Sequence, residues 1–430
     1  MNTLAFTFEG GIQLFFFAVG AFMFFGVVVT ITTIVRGARN PASKNYRPRT
    51  DGETARLCKT LEGDKLYDIA CGLVDEEGIK KDSDKWVAYM SAAADKGYAP
   101  ALREMGLYYR YKNLKRSLDY FKRAVEGGDD KAAAELSDIY RRGINDLNGE
   151  VIIEKDIDKA MECLLPFAKE GSATAQKEIA YIYYVEKHDN ENALKWYLKA
   201  AELGDAESAY QAGELYSFMD DDETKSKEMY LKAAEQGYAD AECALGHYYN
   251  DIEEDLKQAF EWYKRADEHG DNYATCRLGE MYLNGEGVLA DAGTAVKYFE
   301  KADKEGSLYG KYLLGKCYFD GTGVEQNYIK AIDLYTEAAK YDSDAQYALG
   351  MCYLNGEGVK KNVGKAISYL NKATDYNDEA MYKLGEIYYH GELVKKDEEK
   401  ARELWRKAAR DDNKDAIESL KIYFGERVED

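Results

Sequence analysis

The chain opens with an apolar run that no charge interrupts. Residues 11–35, GIQLFFFAVGAFMFFGVVVTITTIV, follow a short tail at 1–10. A helix rises about 1.5 Å per residue, so a run of this length crosses a hydrocarbon core of about 30 Å. The pattern predicts a membrane-spanning helix over 11–35. A cleaved signal peptide fits poorly, because the start MNTLAFTFEG has no Lys or Arg and the apolar run is too long. Arg36, Arg39, Lys44, Arg47 and Arg49 stand on the C-terminal side, against the single acid Glu9 before the run. Positive charge stays inside, which places the N-terminus outside and the rest of the chain in the cytoplasm. Residues 36–52 read as a basic, flexible tether that can rest on anionic lipid.

From 53 to 430 the apolar positions recur at helical spacing, and the pattern repeats itself. One small residue marks a fixed point in each copy: Ala70, Gly106, Ser137, Ala180, Gly213, Gly246, Gly279, Gly315, Gly350 and Gly385, at steps of 36, 31, 43, 33, 33, 33, 36, 35 and 35. A small residue admits a neighbouring helix at close range, and a Tyr follows three residues later in most copies, as at Gly350 and Tyr353. A Gly-x-Gly-Val turn comes next in the clearest copies, as at Gly285, Gly287 and Val288. A second helix carries Ala-x-x-x-Tyr/Trp-x-Lys-Ala-Ala, for example Ala193, Tyr197, Ala200 and Ala201, which is one apolar face. It ends on a glycine (Gly97, Gly128, Gly171, Gly204, Gly237, Gly270, Gly306), the left-handed cap; later copies put Asp342, Asn377 and Asp412 in that place. Repetition at this period predicts an all-α stack of about ten helical hairpins. Residues 54–63 and 415–426 read as the helices that close its ends. The copy near Ser137 departs most, with a long loop RRGINDLNGEVIIEKD.

These residues, above all Leu-Gly-x-x-Tyr with Gly-x-Gly-Val near 279, 315 and 350, make the sequence similar to the Sel1-like repeat family, a relative of the tetratricopeptide repeat. The resemblance spans about residues 64–412 and implies a right-handed α-solenoid that serves as an adaptor or scaffold for protein complexes. In tetratricopeptide units the ligand-facing positions of the first helix lie at about −6, −3, +1 and +4 from the small residue. Applied here, that rule selects Arg103, Arg110 and Arg141 near one end and Tyr210, Tyr309, Tyr312, Tyr347, Tyr382 and Tyr389 further along, with acids such as Glu214, Asp240, Glu280 and Glu386. Two readings of the tyrosines stand side by side: packing between repeats, and a groove for a partner peptide.

Charge narrows the function. The net charge is −21, and the chain beyond residue 50 carries −25, which repels nucleic acid. Tyrosine is unusually common, 37 against 15 Phe, which suits half-buried helix surface. Seven scattered cysteines with no C-x-x-C read as small buried hydrophobes. The four histidines are far apart, the P-loop-like GKYLLGKC (310–317) ends in Cys317 rather than Ser or Thr, and no Ser-x-x-Lys occurs. The sequence therefore offers no catalytic residue, no metal site and no cofactor site. The expected protein is a membrane-anchored scaffold binding a protein or peptide segment. Rivals are an enzyme subunit with a site between repeats, and an exported solenoid that binds cell-wall or host molecules.

Overall fold

The computed structural model describes residues 51–74, 83–145, 149, 151–219 and 222–426, together with three short strands near the N-terminus. Those strands, β1 (Ala5–Thr7), β2 (Ile12–Phe15) and β3 (Val28–Ile31), pair antiparallel in the order β1-β2-β3. Two pieces of the expected membrane-spanning helix are thus strand; the rest of 11–35, and nearly all of the 36–52 tether, lie outside the described residues. Among the described residues no helix is long and apolar enough to cross a membrane.

The remainder is helical. A short α1 (Gly52–Thr60) precedes α2 (Gly63–Cys71), α3 (Ser83–Asp95), α4 (Ala99–Tyr109), α5 (Leu114–Glu126), α6 (Asp130–Arg142) and α7 (Ile157–Lys169). Then come α8 (Ala173–Val185), α9 (Asn190–Glu202), α10 (Ala206–Met219), α11 (Glu223–Ala234), α12 (Ala239–Asp251), α13 (Leu256–Glu268), α14 (Asn272–Asn284) and α15 (Ala292–Lys304). The chain continues through α16 (Leu308–Asp320), α17 (Tyr328–Ala338), α18 (Ser343–Asn355), α19 (Val363–Ala373), α20 (Asp378–His390) and α21 (Glu398–Arg410) to a terminal α22 (Lys414–Phe424). Paired from α2 to α21, these are ten hairpins with a cap helix at either end, as the repeat period implies. They fall into two compact units, residues 1–163 and 164–430.

Two devices recur among the hairpins. The first is a socket. A Cβ added to Gly106, Gly213, Gly246, Gly279, Gly315 or Gly385 would run into Phe121, Tyr230, Tyr263, Phe299, Tyr335 or Trp405, the large residue of the second helix of the same hairpin. The close neighbour foreseen from the small residue is therefore an aromatic knob, and the knobs are buried. Gly350 faces Leu370 instead. The second device is a clasp. The carbonyl of the Tyr three residues past the small residue accepts the N–H of the residue that caps the second helix: Asn113 to Tyr109, Asp156 to Tyr140, Asp189 to Tyr183, Asp222 to Tyr216, Asp255 to Tyr249, Asp291 to Tyr282, Asn327 to Tyr318, Asn362 to Tyr353 and Asp397 to Tyr388, at 2.8–3.3 Å. The side chain of the same residue accepts an N–H of the first turn, as in Asn362 with Lys365 N at 3.0 Å. One Asx thus closes the loop and caps the helix, with the capping half contributing about 1 kcal/mol.

The Gly-x-Gly turn inside a hairpin seats against the preceding hairpin. Gly287 and Gly323 have φ of +68° and +73°, and a Cβ on either would overlap the carbonyl of Leu256 or Ala292, at the start of the preceding hairpin's second helix. Gly287→Ala should therefore lower the melting temperature, at a cost of about 1–3 kcal/mol from overlap and strained φ. Gly293→Ala, six residues on and meeting only Asp291 Oδ1 at 3.4 Å, should be neutral or slightly stabilising. Equal melting temperatures for the two variants would show that the turn does not seat on the preceding hairpin.

Two expectations need correction. Asp342 and Asn377 are extended N-caps (φ −98° and −132°), not left-handed caps; α17 and α19 are shorter than α15, and the turn closes without a positive φ. Asp412 does take the left-handed region, at φ +59°. Within the long loop after α6, β4 (Ile144–Asn145) and β5 (Val151–Ile153) pair antiparallel, while the repeat array itself is all-helical. Cys71 is exposed, although Cys243, Cys276, Cys317 and Cys352 are buried as expected.

Candidate partner-binding face

The residues singled out for a partner lie on, or just beyond, the first helices. Arg103 and Arg110 sit on α4 and at its C-cap, and Arg141 on α6. The structure neutralises all three. Arg103 Nη1 lies 2.9 Å from Asp129 Oδ2, and Asp129 is the buried N-cap of α6. Arg110 pairs with Glu135 and with Asp138, and Asp138 Oδ1 also takes Arg141 at 2.6 Å and Arg142 at 2.7 Å. Carboxylates at the start of α6 and along it thus meet the arginines expected to make one end of the face positive, from the next hairpin for Arg103 and Arg110 and from the same helix for Arg141.

The tyrosines are half-buried, each with one side against its neighbours. Tyr210 on α10 lies 5.9 Å from the Tyr230 ring and 5.6 Å from the Tyr238 ring. Tyr309 on α16 donates to Glu280 at 2.8 Å, and its ring sits 6.3 Å from both Tyr273 and Tyr312. Tyr312 also leans on Tyr335 at 5.9 Å. Tyr347 on α18 packs at the edge of the core of the last two hairpins. Tyr382 on α20 stacks on Trp405 at 6.4 Å. Tyr389 belongs to the terminal seal, 4.4 Å from Tyr423 of α22 and 5.4 Å from Trp405. Tyr309, Tyr312, Tyr347 and Tyr382 thus recur along successive first helices, whereas Tyr389 is held by the end cap.

Carboxylates lie beside the rings, two of those selected from the sequence being ion-paired within their own helices. Glu214 accepts the Tyr230 hydroxyl, Glu280 takes Tyr309 and Arg277, and Glu386 pairs with Lys383. Burial, then Glu214 and Asp240, push the Tyr210 phenol well above its usual value; burial, then the bond to Glu280, do the same to Tyr309. Tyr312 rises from 10.0 to about 12, chiefly by burial. A raised phenol keeps its proton in the fold when the unfolded chain has lost it. Its contribution is therefore whole below pH 10 and is lost as pH climbs through the folded value. Buried thiols add the same sign, Cys317 rising to about 11 and Cys352 to about 12. The melting temperature should fall progressively between about pH 9 and pH 12, while tyrosinate absorbance lags behind that of free tyrosine. A flat profile would contradict the burial of these hydroxyls and thiols.

Sequence reading missed a polar cluster in the sixth hairpin. Glu242 on α12 is fully buried, with Oε2 2.6 Å from His269 Nδ1 and Oε1 2.8 Å from Arg265 Nη2, the latter an ion contact at poor hydrogen-bond angle. His247 sits between the rings of Tyr263 and Tyr273 at 5.5 and 5.3 Å, and burial lowers its pKa. Spacing alone gave no sign of either, since each partner is a repeat-position residue of another helix. Among the described residues no group of three or more His, Cys, Asp and Glu could hold a metal ion.

Ten consecutive copies of the Sel1 repeat match this architecture, at residues 68–98, 99–129, 131–172, 173–205, 206–238, 239–271, 272–307, 308–340, 343–375 and 378–413. The chain belongs to the Sel1 repeat family. No curated protein matches it. Among solved structures, a Sel1 repeat protein from Oxalobacter formigenes is 26% identical over 76% of this chain and 95% of its own, with a TM-score of 0.54. The crystal structure of a protective antigen present in uropathogenic Escherichia coli strains, described as displaying an SLR fold, is 23% identical over 87% of this chain and 90% of its own, with a TM-score of 0.50. The latter likeness is one of fold alone. The ten Sel1 repeats coincide with the ten hairpins, including the one whose first and second helices flank the β4–β5 ladder.

Proposed function

We propose that this Sel1 repeat protein is a membrane-anchored scaffold that holds a partner protein against the exposed face of its first helices. One observation carries the reading: half-buried tyrosines at the same register on α16, α18 and α20, Tyr312, Tyr347 and Tyr382, with carboxylates between them. A ring already held on one side loses little entropy when a partner covers the other, and tyrosine is enriched at the centres of interfaces. The intervening acids favour a segment that brings basic residues. Nothing in the reading requires catalysis.

The test is the combined change of Tyr312, Tyr347 and Tyr382 to Ser, beside the same three changed to Phe. The Ser variant should lose partner capture while keeping its helical circular dichroism, and the Phe variant should retain most of it. Full capture by the Ser variant would place the partner elsewhere.

The anchor in this proposal is 11–35. Order β1-β2-β3 leaves an open edge on β1 and on β3, and in hydrocarbon those N–H and C=O groups would lack partners. A helix satisfies them all, so the segment takes helical form in a bilayer, with the N-terminus outside and the repeats in the cytoplasm. A reporter fused after Asp430 should report the cytoplasmic side; activity of a reporter that works only outside the cytoplasm would refute this orientation.

A further inference from the structure

The turn of the ninth hairpin, between α18 and α19, differs from its relatives in charge. From the end of the first helix through the first turn of the second, it carries Lys360, Lys361 and Lys365 against Glu357 alone. The matching stretches of the other hairpins in residues 164–430 are all net negative. The tenth hairpin has the same three lysines, Lys395, Lys396 and Lys400, but offsets them with Asp397, Glu398 and Glu399, and Lys396 pairs with Glu398 at 2.7 Å. In the ninth, Asn362, Val363 and Gly364 hold those acidic positions, and Lys360 and Lys361 make no ion pair among the described residues. Four residues of this stretch, Lys360, Lys361, Asn362 and Lys365, border an open recess of about 400 Å³ together with Tyr353 and Val359.

The fold does not ask for this charge. Lys365 reaches the Tyr353 hydroxyl at 3.4 Å, as Lys400 reaches Tyr388 at 2.9 Å, so one lysine is part of the hairpin clasp. Lys361 only lays its Cβ over Gly356, a task that Gln326 performs over Gly321 and Ala290 over Gly285. Position 360 is Leu289, Glu325 or Lys395 in neighbouring copies. Two ammonium groups are therefore surplus to folding, in a chain of net charge −21. They sit beside the positive end of α19, where first-turn N–H groups face outward and Gly364 leaves the backbone uncrowded, meeting only Asn362 Oδ1 at 3.5 Å. Glu357, the one acid of the turn, is engaged by the Asn355 amide at 3.3 Å.

We propose that this recess binds the phosphate group of a small phosphorylated ligand. Lys360 and Lys361 supply the charge, Lys365 is steered into place by Tyr353, and the start of α19 supplies N–H donors. The phosphate can belong to a free phosphate compound or to a phospholipid headgroup. The site lies in the turn between α18 and α19, involves none of Tyr312, Tyr347 and Tyr382, and stands or falls independently of the scaffold reading.

The experiment is calorimetric titration of the full chain, in a non-ionic detergent, with inorganic pyrophosphate and, separately, with water-soluble dihexanoyl phosphatidic acid. Wild type should bind at least one of them saturably; pyrophosphate alone points to a free phosphate compound, and the lipid alone to a headgroup. Lys360→Gln with Lys361→Gln should weaken binding about tenfold or more, since both charge-assisted contacts go. Gln keeps the Cβ packing over Gly356, so the variant should fold. Val363→Glu with Gly364→Glu, which restores the acids of the tenth hairpin, should weaken binding similarly, and Lys395→Gln with Lys396→Gln should leave it unchanged. Absence of binding by wild type, or equal binding by the Lys360/Lys361 variant, would overturn the proposal.

Discussion

Trp405→Ala should be among the most destabilising single substitutions in residues 164–430, costing about 3–5 kcal/mol. The side chain is fully buried. Its ring fills the socket at Gly385, lies 5.4–6.4 Å from Tyr382, Tyr389 and Tyr423, and donates its Nε1–H to the Tyr382 carbonyl at 3.1 Å. Truncation leaves a cavity in the tenth hairpin and loosens α22, whose Glu426 end is also tied to Arg402 and Arg406. Stability in a repeat array is a sum of local terms, so the loss should be local first. Hydrogen exchange should quicken across 378–424 before the earlier hairpins respond. Unchanged protection there would mean that the knob does not hold the end of the stack.

Gly279→Leu should be destabilising in spite of helix propensity. Leucine is favoured over glycine in a helix interior by roughly 1 kcal/mol. Against this, even a Cβ at 279 overlaps the Phe299 ring, which has no exposed side to move into. Overpacking of this kind costs about 1–3 kcal/mol for added methylenes, and a whole leucine side chain belongs at or beyond the upper end. The clash therefore wins. Gly350→Ala is the contrast: its Cβ would meet Leu370 Cγ and Cδ2 at 3.0–3.1 Å and the Leu370 N at 3.3 Å, a milder crowding than an aromatic ring at 2.4 Å, so the net loss should be small. Thermal denaturation of the two variants should separate them clearly. A stabilised Gly279→Leu protein would show that the socket is looser than the structure has it.

The comparison of these two glycines indicates what the sequence could convey. The period, the small residue and the tyrosine three places on were all legible, because each is a local signal repeated in nine or ten copies. Partners were not. Nothing in the spacing says that Phe299 fills Gly279, since the knob arrives from the next helix. The neutral end of the face escaped for the same reason: Arg103 looks like free charge until Asp129, 26 residues away, is seen beside it. The Asx clasp was hidden by composition, because an Asp or Asn before a helix is unremarkable in a chain with 79 acidic residues. The shortened turns at Asp342 and Asn377 misled in another way, since a one-residue deletion moves the cap residue into the slot where glycine stood before. The lysine-rich turn of the ninth hairpin was visible in the letters, but only the tenth hairpin's matching lysines, laid on the same structural positions, make it stand out.

The central claim is that a partner protein lies against the first helices. Site-specific photo-crosslinking in the native cell tests it most directly. A photoreactive phenylalanine would replace Tyr347 or Tyr382 on first helices, and Thr336 or Glu403, exposed on second helices, in parallel. The account predicts one discrete adduct of the same mass from both tyrosine positions and none from 336 or 403. Adducts only from 336 and 403, or none from the tyrosine positions while the chain still co-purifies with a partner, would contradict it.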